Sequence, residues 1–215
     1  MLKLRHSYIL KYRLLCLILS VGYFLYQFTQ ANYDNFGIQF RYLTIWGLTC
    51  AMVATLLLYK RNRHDLPESY LPFVSATAVL NAMVVFLYWK LYFIDPSLVN
   101  YSGSIVWFQE YYLHILGPAL IILDALLFNN SFTQVKKGAV TILGICLLYI
   151  FWSEVVTGPR NITPKGTVTN GLPYPFLNNM TFYERVNFYA TTIITGLGFY
   201  AAGWGLAKLK LKFVE

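Results

Sequence analysis

The sequence predicts an all-α, polytopic membrane protein of six transmembrane helices, and three observations predict it. Hydrophobic residues make up 57% of the 215 residues, and charged residues only 12%. The charges leave free the runs 14–33, 42–59, 69–89, 138–153 and 186–207. Each run approaches the roughly 20 residues that cross the hydrocarbon as a helix. Lysine and arginine also alternate in abundance from one connection to the next. The N-terminus (Lys3, Arg5, Lys11, Arg13), the second loop (Lys60, Arg61, Arg63), the fourth loop (Lys136, Lys137) and the C-terminus (Lys208, Lys210, Lys212) hold 12. The opposite side holds 5: Arg41, Lys90, Arg160, Lys165 and Arg185. The positive-inside rule then places both termini in the cytoplasm. A single domain over residues 1–215 is the expectation at this length.

The first helix starts amphipathic, with Lys11 and Arg13 placed to snorkel to the inner headgroups. Its basic start, apolar run and following Thr29-Gln30-Ala31 are also compatible with a signal peptide. Cleavage would leave five helices and break the charge alternation, so an uncleaved helix is expected. Asp34 or Asn35 can cap the second helix, which would then begin before Arg41. Gly47, Ala51 and Ala54 form a small-residue stripe, read as close helix packing in preference to an acyl groove. The loop 60–68 is a charged inner connection with a solvated His64. On the third helix Thr77, Asn81 and Tyr88 share a side, and the outer end is aromatic before Asp95-Pro96 breaks it. The fourth span, about 105–128, is the one that carries ionisable groups: Glu110, His114 and Asp124. A short inner turn, 129–137, leads to a fifth helix that Gly158-Pro159 stops. The loop 159–180 is the longest, and reads as a lid over the outer mouth. On the sixth helix Asn187, Thr191 and Thr195 recur every four residues, a polar stripe aimed at the bundle. Sequons stand at Asn100, Asn161 and Asn179 on the outer side and at Asn129 on the inner side.

His114 is the histidine that falls inside an apolar segment of membrane length. An ionisable group at that depth is a functional hypothesis by default; a histidine bonded to a neighbouring helix for packing is the other reading. Glu110 lies one turn earlier on the same helical face. Pro118 lacks the N–H that would have bonded the His114 carbonyl, so the helix should bend where the imidazole sits. The chain has no Gly-x-Ser-x-Gly elbow and no His-Glu-x-x-His zinc motif. Cys16, Cys50 and Cys146 lie within spans without metal-ligand spacing, so no metal or organic cofactor is expected. The hydroxyls to weigh as nucleophiles are Thr44 and Ser75 near the outer side and the deeper Thr49 and Thr77. A threonine hydroxyl needs an adjacent base, and His114 titrates near neutrality. Depth favours Thr44. At 1.5 Å per residue His114 lies about 13 Å into a helix starting near residue 105, and Thr44 lies at a similar depth if its helix starts near residue 35. Arg41, one turn above Thr44, is placed to hold a substrate carboxylate. Asp124, near the inner end of its helix where the dipole disfavours an anion, should have a basic or hydrogen-bonding partner from the N-terminal segment or Lys60, and reads as structural.

Several short motifs occur in a recognisable order. They are Tyr42-Leu43-Thr44; Trp89 with Tyr92 and Asp95; His114 with a nearby proline and Asp124 ten positions on; Trp152 and Val156-Thr157-Gly158; and Tyr174-Pro175-Phe176-Leu177. In order and approximate spacing, over nearly the whole chain, they resemble the androgen-induced gene 1 family. The resemblance implies a six-helix intramembrane hydrolase of fatty acid esters of hydroxy fatty acids or related lipid esters. It implies Thr44 as threonine nucleophile and His114 as histidine. Glu110, by its place one turn from His114, is a candidate support for the imidazole, and the other reading is a carboxylate reaching outer water. The chain departs from the family by a longer insertion, roughly 159–172, and by a one-residue shift of Pro118. The partners expected are a lipid ester and the bilayer, in the plasma membrane or endoplasmic reticulum according to organism. The net charge of +8 reads as topology and attraction to anionic lipid, with no need of nucleic acid. The exact ester and the oligomeric state are not written in the sequence. A second reading is a non-enzymatic carrier, with Asn81, Glu110, His114, Asn187 and Thr191 lining a path. Transporters usually show internal repeats, and none relates residues 1–107 to 108–215.

Overall fold

The structure, a computed structural model, describes residues 2–62, 68–99 and 106–212, with side chains over 6–210 of these. The readings for His64, the Asn100 sequon and the side chains of Lys3, Arg5, Arg63 and Lys212 lie outside the described residues. Six long helices follow one another: α1 (Leu2–Thr29), α2 (Leu43–Arg61), α3 (Leu71–Ile94), α4 (Trp107–Phe128), α5 (Val135–Phe151) and α6 (Phe182–Lys212). Among the described residues there is no β-strand, only an isolated bridge between Lys165 and Asn170. α1 through α5 are long and apolar enough to cross a membrane. α6 has the length, at 31 residues, but its polar residues keep it from matching the other five in hydropathy.

A helix that is apolar all round must be buried, and α3 is the helix the others surround. It packs against α2, α4, α5 and α6. Val74, Ala76, Val79, Leu80 and Met83 of α3 form one core with Ala54 and Leu58 of α2, Ile121 of α4 and Ile142 of α5. The small-residue stripe of α2 lies in this contact, where the Gly47 carbonyl accepts a hydrogen bond from Asn81 Nδ2 at 3.2 Å. That is the packing role expected of it. The outward faces of α1, α5 and α6 expose Leu15, Ile18, Leu25, Val140, Leu148, Ile194 and Leu206, a surface suited to lipid.

Three expectations are corrected. Arg13 does not snorkel. It is 2% exposed and turns into the bundle, where Nε and Nη2 donate to the two oxygens of Asp124 at 2.8 and 2.6 Å. Its Nη1 donates to the Leu58 carbonyl and to Asn62 Oδ1. Satisfying every partner inside the protein is what makes a buried guanidinium tolerable, and Asp124 thereby finds its basic partner in the N-terminal segment. The stripe on α6 also faces away from the bundle. Asn187 and Thr191 are exposed, and Thr191 and Thr195 donate back to the carbonyls of Asn187 and Thr191, which satisfies a hydroxyl without a neighbouring helix. The face that packs carries Gly196, Tyr200, Gly203 and Ala207. A Cβ at Gly196 would stand 2.5 Å from Met83 Sδ, so a side chain there would require Met83 to move. Finally, Ser75 lies near the inner start of α3, about 20 Å along the axis from Tyr88 at 1.5 Å per residue. It bonds the Pro72 carbonyl and the Tyr200 hydroxyl.

Candidate active site

The start of α2 differs from the expectation in a way that shapes the site. Instead of a helix running from residue 35, a 3₁₀ turn at Ile38–Arg41 is followed by Tyr42 in extended conformation (φ −97°, ψ 132°), and α2 begins at Leu43. Gly37 allows this, with φ +84° and a side-chain position that would collide with Thr157. The break diverts carbonyls that a continuous helix would have used. The Phe40 carbonyl accepts both indole N–H groups of Trp46 and Trp152, at 2.9 and 3.0 Å. The Arg41 carbonyl accepts the Tyr149 hydroxyl at 2.8 Å. Thr44 therefore sits in the first turn of a helix rather than in its middle.

α4 supplies the imidazole from a second irregularity. Pro118 removes the donor for the His114 carbonyl, and the predicted bend takes the form of a π-helical turn over Tyr112–Leu116. Such turns are rare and frequent at functional sites. The freed carbonyl is not left orphaned: Trp89 Nε1 of α3 donates to it at 2.9 Å, as an apolar surrounding demands. Tyr88, one residue earlier, stacks on the imidazole with centroids 3.5 Å apart and planes 9° from parallel.

The two irregular segments bring Thr44 and His114 together. Thr44 Oγ1 lies 3.3 Å from His114 Nε2, and Glu110 Oε2 lies 2.9 Å from Nδ1. The carboxylate approaches Nδ1 off the line of the ring N–H, so the contact is electrostatic rather than a well-aligned hydrogen bond. His114 is 6% exposed. In the tautomer that carries its proton on Nδ1, the nitrogen nearer Glu110, the lone pair of Nε2 faces the threonine hydroxyl, the arrangement a general base requires. Thr49 and Thr77 do not join them. Thr49 bonds back to the Ile45 carbonyl, and Thr77 is fully buried inside α3.

The loop between α5 and α6 closes the outer end. Two buried asparagines hold it. Asn161 exchanges hydrogen bonds with the backbone of Phe36 on both sides, and Asn178 accepts from Leu172 N and donates to the carbonyls of Pro164 and Leu172. The Asn161 amide is thus committed to the fold, whatever its sequon. Arg41, 1% exposed, donates from Nη2 to the carbonyls of Thr163 and Gly171 at 2.5 and 3.0 Å. This nitrogen anchors the lid, and Arg41 also lines the cavity beneath it. At the end of the lid, Thr181 and Glu184 cap α6 reciprocally. Bonds from the Thr181 N–H and hydroxyl hold the Glu184 carboxyl below its usual range. Thr181-Phe-Tyr-Glu184 carries the spacing of that capping box in the sequence.

Beneath the lid is a cavity of about 500 Å³. Thr44, His114 and Glu110 line it, together with polar residues such as Gln27, Gln39 and Gln109 and apolar ones such as Leu87, Leu91, Ile150, Phe176 and Ile193. A lining of both kinds offers partners for water and space for a hydrocarbon chain. The carrier path is not assembled: Asn187 and Thr191 face outward, and Asn81 bonds Gly47 and Thr77. Among the described residues no cluster of His, Cys, Asp and Glu could hold a metal.

A profile of the FAR-17a/AIG1-like protein family matches residues 8–208. The chain belongs to this family. No curated protein and no solved structure matches it. The family match spans every residue of the site, and with it the lid and nearly all of the six helices. The sequence pattern singles out Thr44, His114 and Glu110 but not Tyr149, and assigns no role to Tyr174. Tyr174 stood in a motif of the family, yet its place beside Leu43 follows from the lid folding back, which no local pattern reveals.

Proposed function

We propose that the protein is an intramembrane hydrolase of lipid esters, fatty acid esters of hydroxy fatty acids or related ones, with Thr44 as nucleophile and His114 as general base. One observation carries the reading: a threonine hydroxyl 3.3 Å from a buried imidazole nitrogen at the wall of a cavity lined by polar and apolar residues. Thr44 Oγ attacks the ester carbonyl while His114 Nε2 takes its proton. Collapse expels the alkoxide, which receives that proton, and a water activated by the same imidazole releases the acid from Thr44. Glu110 steadies the imidazolium and its tautomer, as a carboxylate does in a catalytic triad. No cofactor enters these steps.

The protein is further read as one six-span domain with both termini cytoplasmic, resident in the plasma membrane or endoplasmic reticulum. The asymmetry of lysine and arginine supports the orientation. Apolar residues exposed on α6, Ile194, Leu197 and Leu206, support its crossing as the sixth span. The test is hydrolysis by purified protein in detergent. Thr44→Ala and His114→Ala each abolish turnover of a chromogenic octanoate ester while the protein elutes and melts as the wild type does. Normal turnover by either variant ends the proposal.

A further inference from the structure

Ester hydrolysis places a negative charge on the former carbonyl oxygen, and donors fixed where that charge develops are usually the largest source of acceleration. The hydroxyl–imidazole pair supplies none. The break at Tyr42 supplies them. Of the first four N–H groups of α2, Leu43 N donates to the Tyr174 hydroxyl at 3.1 Å. Ile45 N and Trp46 N both go to the Tyr42 carbonyl, at 3.0 and 3.4 Å. Thr44 N alone has no acceptor among the described residues. The carbonyls behind it, of Phe40 and Arg41, are already occupied by Trp46, Trp152 and Tyr149.

Tyr174 faces the same point from the lid. Its oxygen accepts from Leu43 N, so its own proton is not used in that bond. Both Tyr174 and Thr44 line the cavity. Resting on the hydrolase reading, we infer that Tyr174 is a further catalytic residue: its O–H, together with the Thr44 N–H, donates to the oxyanion formed when Thr44 Oγ attacks the ester carbonyl. Attack forms the Oγ–C bond, moves the carbonyl π pair onto oxygen and sends the threonine proton to His114 Nε2. Tyr174 donates a hydrogen bond to that oxygen and keeps its proton throughout. When the carbonyl reforms and the C–O bond to the alcohol breaks, the imidazolium protonates the leaving alkoxide. Burial pushes the Tyr174 phenol up to about 12, which keeps it a donor through the neutral range. The segment that covers the outer end thus also carries the oxyanion donor.

Purified full-length protein in detergent tests this with 4-nitrophenyl octanoate as substrate. Two inhibitors accompany it: an octyl trifluoromethyl ketone, which forms a tetrahedral oxyanion on a nucleophile, and octyl 4-nitrophenyl ether, which cannot. Tyr174→Phe is expected to lower kcat about 10²–10³-fold with KM within about threefold. It should weaken the ketone by a similar factor and leave the ether unchanged. A kcat within about threefold of wild type, or equal weakening of both inhibitors, overturns the assignment. Wild-type protein as inactive as Thr44→Ala would overturn the hydrolase reading itself, a different outcome. If Tyr174→Phe does not fold, 3,5-difluorotyrosine placed at 174 retains the hydroxyl and its contact with Leu43. Its more acidic phenol should move the alkaline limb of the kcat profile to lower pH, and an unmoved limb counts against the proposal.

Discussion

Trp89 illustrates how much a single donor carries when water is absent. A proline inside a membrane helix frees a carbonyl, and in hydrocarbon that carbonyl must find another partner. The indole N–H of Trp89 meets the His114 carbonyl, while Tyr88 stacks on the ring of the same residue. Adjacent residues of α3 thus fix the backbone and the side chain of one histidine. Trp89→Phe keeps most of the aromatic bulk and deletes the donor. It should cost about 1–3 kcal/mol, the range for leaving one buried acceptor unpaired, read as a lower midpoint of thermal unfolding in detergent. It should also lower kcat, because the imidazole loses its support; a variant that melts and turns over like the wild type would show that the carbonyl is solvated instead. Pro118, His114 and Glu110 were legible as a unit in the sequence because their relation is local, four residues at a time. Trp89 was legible as an interface aromatic and as part of a short motif, but nothing within α3 says which carbonyl of α4 it will meet.

At the scale of elements, the irregular turns set the site and the regular helices hold it. α2 begins one residue before Thr44, and α4 widens into a π turn at His114. Neither start nor turn is a matter of propensity. Asp34 and Asn35 offered a cap upstream, yet Gly37 in left-handed conformation, the Trp46 indole of α2 itself and two donors from elsewhere in the fold, Trp152 and Tyr149, decided the break at Tyr42. Long apolar runs gave helix existence reliably, and long-range donors set helix boundaries. The inner counterpart is the pair between α1 and α4. Arg13 and Asp124 are nearly inaccessible to solvent, with Nη2–Oδ1 at 2.6 Å, and Arg13 also ties Leu58 and Asn62 of α2 and its end. Removing one member leaves the other charge buried and should cost about 3–5 kcal/mol. Arg13→Met and Asp124→Asn are therefore expected to lower the unfolding midpoint steeply. His114 lies ten residues, about 15 Å, from Asp124 along the axis, so kcat of the fraction that remains folded should stay near wild type. A large fall in that kcat would place the pair in the chemistry rather than in the scaffold.

At the scale of the whole molecule, the charges, the lid and the cavity share one polarity. The lid between α5 and α6 covers the end of the bundle where α2 and α4 begin and where α3 ends, and the cavity lies beneath it. The ends rich in lysine lie opposite, where Lys210 Nζ bonds the carbonyls of Leu126 and Leu127 at the close of α4. In the orientation proposed from the positive-inside rule that lysine-rich end is cytoplasmic; the lid and the cavity mouth then face the other side, and both termini share the cytoplasmic side only if α6 crosses. Substituted cysteines can read this directly. Val168 of the lid, Thr133 of the turn before α5 and Lys208 near the end of α6 are all exposed, whereas native Cys16 and Cys146 are buried and Cys50 is half-buried. For a protein in the plasma membrane, a membrane-impermeant maleimide should label Val168→Cys in intact cells. It should reach Thr133→Cys and Lys208→Cys only once the membrane is permeabilised. Labelling of Lys208→Cys in intact cells together with Val168→Cys would mean that α6 does not cross. The charge asymmetry would then have to be explained by five spans. Labelling of Thr133→Cys in place of Val168→Cys would invert the molecule and put the cavity mouth, with the water and the ester it admits, on the cytoplasmic side.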